Sequence, residues 1–166
     1  MIVYRCEDTL ESIFTAIYQA YEEKRDHRET LLCLTEDPIL FAEDIVVRAD
    51  EEKTRKVMNT LVRRFGSEDS LHLTMALASG DEEKAQAVYR TVVEGLSRRC
   101  RPGHLFDNLA NDHIHRAFAL ARGVSTEAGH QKQFLRFQEL DNGVLYSRIG
   151  PKNDVMVFIM PHFADR

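Results

Sequence analysis

The chain has 166 residues, 43% hydrophobic and 30% charged, with a formal net charge of −5. That length supplies one substantial core, so a single domain over residues 1–166 is expected, and the composition excludes a disordered or fibrous chain. No run approaches the roughly 18 apolar residues needed to span a bilayer, and no basic segment followed by an apolar stretch opens the chain, so a cytoplasmic protein without membrane association is expected.

Charge sorts along the chain. Residues 1–97 carry 12 Lys and Arg against 20 Asp and Glu, a net −8, whereas residues 98–166 carry 10 against 7, a net +3. Five of the seven histidines, His104, His113, His115, His130 and His162, also fall in the second part. This admits a modest basic surface there, much weaker than that of a dedicated DNA-binding domain. Cys6, Cys33 and Cys100 are odd in number and widely separated, which speaks against a disulfide framework, a zinc knuckle or an iron–sulfur cluster.

In chain order, Ile2-Val3-Tyr4 reads as a short strand, and Glu7-Asp8-Thr9 as an acidic, cap-competent helix start. Leu10, Ile13, Phe14, Ile17, Tyr18 and Tyr21 then recur at helical spacing, giving an amphipathic helix whose aromatic residues belong to the core. After the charged connection Glu22 to Glu29, Leu31 to Leu34 and Ile45 to Arg48 read as short strands that pair with each other or with the N-terminal one. The acidic residues between and beside them, Glu36, Asp37, Glu43 and Asp44, repeat no liganding pattern and read as a solvated loop.

From Asp50 the period becomes helical, with Val57, Met58, Leu61, Val62 and Phe65 on one stripe and Gly66 as a stop. Ser67, Glu68 and Asp69 cap a next helix carrying Leu71, Met75 and Ala78, which Gly80 closes. Ser79 with Glu82 offers a capping box for a third, bearing Val88, Tyr89, Val92, Val93 and Leu96. Arg98, Arg99 and Arg101 follow at its C-terminus, where cations complement the helix dipole; a phosphate-contacting loop is the functional alternative. Beyond them Phe106, Leu109, Ala110, His113, Ala117, Phe118 and Ala121 define a helical face running to Arg122-Gly123, with His113 as a core or interface histidine. His115 lies about 200° around that helix from His113, so the pair suits no shared metal, and no metal or cofactor is predicted.

The last stretch is the least generic. Phe134 to Leu140 and Val144 to Ile149 are apolar and β-rich, and Asn142-Gly143 between them is a strong hairpin signal. With a two-residue loop, Leu140 faces Leu145, Gln138 faces Ser147 and Arg136 faces Ile149, while Phe137 pairs with Arg148 on the opposite side, so at most one arginine lines any given groove. After Gly150 to Asp154, Val155 to Met160 reads as a third antiparallel strand that Pro161 ends. Each arginine has a bland explanation, snorkelling from a half-buried face or pairing with Glu139. The sharper reading makes Arg136 or Arg148, with His130, Lys132, Lys152 and His162, a phosphate or nucleic-acid site, beside which stand Tyr146, Asp165 and Arg166.

The segments FLRFQEL, GVLYSRI, Pro151-Lys152-x-Asp154 and PHFADR, together with the N-terminal MIVYRCEDTLESIFTAIYQAYEE, strongly resemble a bacterial domain-of-unknown-function family whose members are called probable DNA metabolism proteins. The resemblance implies an association with a DNA modification or repair protein of the radical S-adenosylmethionine (radical-SAM) class, and with a uracil-DNA glycosylase domain fused to the family's domain in some bacteria. Members usually continue well past the PHFADR motif, so a chain shortened relative to longer members is expected. The fused glycosylase would supply its own active site, and no phosphate-cradling glycine loop, nucleophile elbow, His-Glu-x-x-His or zinc-deaminase signature occurs in this sequence.

The architecture expected is α+β, about five helices packed on a small antiparallel sheet with a C-terminal β-hairpin. The function expected is that of an accessory DNA-repair protein engaging DNA, single-stranded or distorted, or a radical-SAM repair partner. The alternatives are a nucleic-acid-processing enzyme with an unrecognised site around Arg136, Arg148, His130 and His162, and a pure protein-interaction module.

Overall fold

The computed structural model of the chain describes residues 1–164; Asp165 and Arg166 lie outside the described residues. Strand β1, Ile2–Arg5, occupies the centre of a three-stranded sheet, with Val3 and Tyr4 fully buried. Thr9 caps helix α1, Leu10–Glu22, its side chain accepting from the Ser12 amide, and the apolar spacing buries Ile13, Phe14 and Ile17 as the sequence expects. Strands β2, Thr30–Cys33, and β3, Glu43–Val46, flank β1 in the order β2-β1-β3.

Both pairings are parallel, which corrects the antiparallel expectation for this sheet. The reason is the connections: α1 between β1 and β2, and residues 34–42 between β2 and β3, each carry the chain back along the sheet, and such a crossover returns a strand in the same direction. The sheet contains no C-terminal strand. β3 also starts two residues earlier than expected, bringing Asp44 out of the loop to pair with Arg5 at 2.9 Å.

Helix α2, Glu51–Leu77, starts at the Asp50 cap and is broken at Gly66, whose φ of 88° and ψ of 170° divide it into two helical halves. The expected stop and restart at Gly66-Ser67 therefore exist as a kink within one element. Helix α3, Lys84–Ser97, lacks the expected capping box. Ser79 Oγ instead accepts from the Asp81 amide and Asp81 Oδ1 from the Glu83 amide, a pair of short side-chain turns that leads into the helix. Arg98 is its C-cap and pairs with Glu94, while the Gly103 amide donates to Phe65 O at 2.7 Å, so the arginine-rich loop closes over the α2 kink.

Helix α4, Asp112–Phe134, runs straight through Gly123, beyond the expected end. Asn111 caps it by accepting from the His113 and Ile114 amides, and this start puts Ile114, not His113, on the buried stripe with Ala117, Leu120, Ala121 and Val124. His113 is exposed, so of the core or interface histidine expected the core position is not the one it takes, and His115 is exposed too.

Two further expectations fail after α4. The hairpin strands are β4, Gln138–Glu139, and β5, Leu145–Tyr146, antiparallel, pairing Gln138 with Tyr146 and Glu139 with Leu145. The Leu140 amide donates to Val144 O and the Gly143 amide to Leu140 O, so the loop is Asp141-Asn142-Gly143 with only Gly143 at positive φ. That is a type I turn followed by a left-handed glycine, and it shifts the register by one residue from a two-residue loop. Val155 to Met160, expected as a strand, enters helix α5, Met156–Ala164, which contains Pro161 rather than ending at it. Val155 and Ile159, four apart, bury together against Val124 and Ala128 of α4, a contact only helical spacing provides.

One large core thus joins the sheet, α1, α2, α3 and the first half of α4. A smaller cluster of Val124, Ala128, Val155 and Ile159, with Ile149, Phe158 and Phe163 around it, holds the C-terminal segment.

Candidate functional site

The six residues singled out from sequence lie on α4, beside the two hairpin strands, in the loop that follows them and on α5. His130 is exposed on α4, its ring edge-on to Phe134 at 6.2 Å, and Lys132 sits in the last turn of that helix. Arg136 and Arg148 are both exposed; the Ser147 hydroxyl donates to the Arg136 carbonyl at 2.7 Å across the hairpin. His162 stacks edge-on against Phe163 at 4.9 Å, and Phe163 against Phe137 at 5.2 Å, so an aromatic chain seats α5 under the hairpin. What residues 134–148 display is unburied aromatic and cationic surface: Phe134, at the end of α4, is 73% exposed and Tyr146, on β5, 51%.

Lys152 differs from the other five, because it lines a cleft of about 550 Å³. Its loop is held hard in place. The Glu127 carboxylate on α4 accepts from the Lys152 amide at 2.7 Å, the Asn153 amide at 3.0 Å and Asn153 Nδ2 at 2.6 Å. Those bonds, led by the one from the Lys152 amide, hold the Glu127 pKa below the ordinary carboxylate range. Asn153 Oδ1 in turn accepts from the Gly80 amide at 3.0 Å, and the Asp154 amide donates to Ala78 O at 2.8 Å. The approach is so close that a Cβ on Gly80 would stand 2.6 Å from Lys152 O.

Across the cleft lies Lys84, only 4% exposed. Its ammonium donates to Ser79 O at 2.6 Å and meets Asp8 Oδ1 at 2.5 Å. Leu10, Leu77, Val157 and Phe158 supply apolar wall, and Glu11 and Asp154 bring exposed carboxylates. Sequence reasoning missed Asp8, Lys84 and Glu127. A signal existed for Lys84: it stands four residues before Val88 and eight before Val92, placing a charge on the stripe that α3 buries.

Cys6 is poorly placed to act as a nucleophile. It is buried, and burial pushes its thiol up to about 12. Among the described residues no three His, Cys, Asp or Glu side chains gather to hold a metal, and no helix is long and apolar enough to cross a membrane.

Among the described residues these features define an α+β protein of five helices on a small parallel sheet, with an appended antiparallel hairpin and a two-lysine cleft. The chain belongs to the family described as domain of unknown function DUF4130, whose model matches residues 82–166. That span carries α3, α4, the hairpin and α5, hence Lys84, Glu127 and Lys152, whereas Asp8 comes from outside it. No curated protein and no solved structure matches the chain.

Proposed function

We propose that this chain is an accessory protein of DNA metabolism or repair, which engages single-stranded or distorted DNA through its C-terminal hairpin and works beside a radical-SAM repair protein. One observation carries the reading: Phe134 and Tyr146 are left in solvent on the same short segment as exposed Arg136 and Arg148. Exposed rings contribute little to the fold, whereas a base stacked on one contributes about 1–3 kcal/mol, and neighbouring guanidiniums take up phosphates. The opposite signs of the two halves agree with this, since the positive half carries the hairpin.

The test is a titration of a labelled single-stranded oligonucleotide at low and moderate salt. Weak, sequence-tolerant binding that falls steeply with salt is expected, reduced by Arg136→Gln, Arg148→Gln and Tyr146→Ala in variants that keep the parent's circular dichroism. A second reading, a protein-interaction surface for the repair partner, is favoured by Leu145, Val157 and Met160, aliphatic side chains 63%, 70% and 58% exposed that no base would stack on. Absence of DNA binding at both salt concentrations, alongside a stable complex with the radical-SAM partner, would replace the first reading with the second.

A further inference from the structure

Withdrawing a lysine ammonium from water costs several kcal/mol, and a methionine would fill the same space without that cost. Lys84 is nevertheless nearly buried at the wall of an open cleft. Two of its three N–H groups are committed, to Ser79 O and to Asp8, which leaves one for a ligand. Lys152 stands in the same cleft with no ion pair among the described residues, on a loop fixed by Glu127. Leu10 and Glu11 open the start of α1 into it too, and Thr9 caps only the Ser12 amide, so the first amides of the helix add donors.

Asp8, Glu11 and Asp154 line the cleft as well, and Asp8 already answers Lys84, so the donors left for an anionic group are the third Lys84 N–H, Lys152 and the first α1 amides; the rest of the lining says what that group is attached to. Leu77 and Phe158 offer an apolar wall, which a free phosphate would not need. Glu11 and Asp154 accept hydrogen bonds, which an aliphatic acid could not supply. The volume of about 550 Å³ is that of a small-molecule site. We propose that this cleft binds a phosphorylated nucleoside, the phosphate between Lys84 and Lys152, the base against Leu77 and Phe158 with its N–H edge toward Glu11 or Asp154. The ligand is either a free mononucleotide or the phosphorylated end of a strand; the chemistry is shared. The proposal is independent of the hairpin reading, which needs neither lysine.

Calorimetric titration of the full chain with deoxynucleoside monophosphates, the corresponding nucleosides, inorganic phosphate, and a short strand with and without a 5′-phosphate tests it. The monophosphate, or the 5′-phosphorylated strand alone if a strand end is the source, binds at least about tenfold more tightly than its unphosphorylated counterpart and than phosphate itself. Lys152→Gln and Lys84→Met each lower that affinity about tenfold or more, and Arg136→Gln leaves mononucleotide binding unchanged. Lys152 is exposed, so its variant decides the matter even if Lys84→Met fails to fold. Failure of every phosphorylated probe to bind the parent, or equal binding by parent and Lys152→Gln, overturns the assignment.

Discussion

Gly95 and Gly143 respond to an added side chain for opposite reasons. A Cβ at Gly95 would stand 2.5 Å from Leu105 Cδ1 and 2.8 Å from Phe65 Cε1, between α3 and the buried end of the first half of α2. Gly95→Ala therefore overpacks the core, at about 1–3 kcal/mol, and should lower the thermal midpoint by several degrees. Gly143 has open space around it but a φ of +78°, so Gly143→Val costs on the order of 1 kcal/mol or more through backbone strain alone. Because the hairpin contributes little to the core, the thermal midpoint should barely move, while the Leu140 amide, bonded to Val144 O at 2.8 Å, exchanges faster with solvent. A large drop in the midpoint for Gly143→Val, with none for Gly95→Ala, would contradict both arguments.

At the scale of elements, the contact to test is the one between α4 and the loop Pro151 to Asp154. A carboxyl whose pKa is depressed by folding stabilises the folded form above its unfolded value, and loses that contribution as pH falls through the folded one. Glu127 is such a group, lowered from the ordinary 4.5 chiefly by the Lys152 amide. Docking of the loop should thus be constant at neutral pH and weaken only below about 4.5, seen as faster exchange of the Lys152 and Asn153 amides relative to the core. Glu127→Gln should remove the acid step and leave the loop looser at every pH, since a neutral amide oxygen accepts less strongly than a carboxylate and the amide nitrogen accepts nothing. Gly80→Ala should loosen the same loop at all pH values, its Cβ meeting Lys152 O. An acid step that survives in Glu127→Gln would assign the transition to another group.

For the molecule as a whole, the division of apolar burial into two clusters has a consequence for how it opens. The C-terminal segment depends on the small one, in which Ile159 is 2% exposed and packs with Val124, Ala128 and Val155. Ile159→Ala, at about 2–5 kcal/mol, should release α5 and the hairpin as one unit while α1, α2 and α3 keep their protection in hydrogen exchange. Uniform loss of protection would show instead that the two clusters unfold together. The cleft spans the division, because Lys84 belongs to the large core's helices and Lys152 to the appended segment. Ile159→Ala should therefore weaken phosphorylated-nucleoside binding without touching either lysine, a coupling that mononucleotide titration reads directly.

Local physics set out most of the helices in advance. Thr9 before a period-3.6 apolar run specifies α1, Asp50 starts α2, and Gly66 breaks it, because capping and backbone sterics act within a turn or two of the residue concerned. Asn142-Gly143 likewise announced a hairpin, though not its loop length, since Asp141 was free to join the turn. Periodicity failed where one position or one partner decides. The Asn111 cap rotates α4 so that Ile114 rather than His113 turns inward, and VMVFIM reads equally as strand or helix until Val124 and Ala128 offer a surface that suits spacing by four. The direction of the sheet was equally out of reach, because three four-residue strands carry no mark of parallel pairing; the two crossovers, α1 and residues 34–42, fix it. The cleft lay furthest from the sequence. Asp8, Lys84 and Lys152 are separated by most of the chain, and a buried charge becomes visible only when the fold encloses it, so the sequence determined α1, α2 and the existence of the hairpin, and tertiary packing decided the sheet's direction, the state of the C-terminal segment and which charges meet.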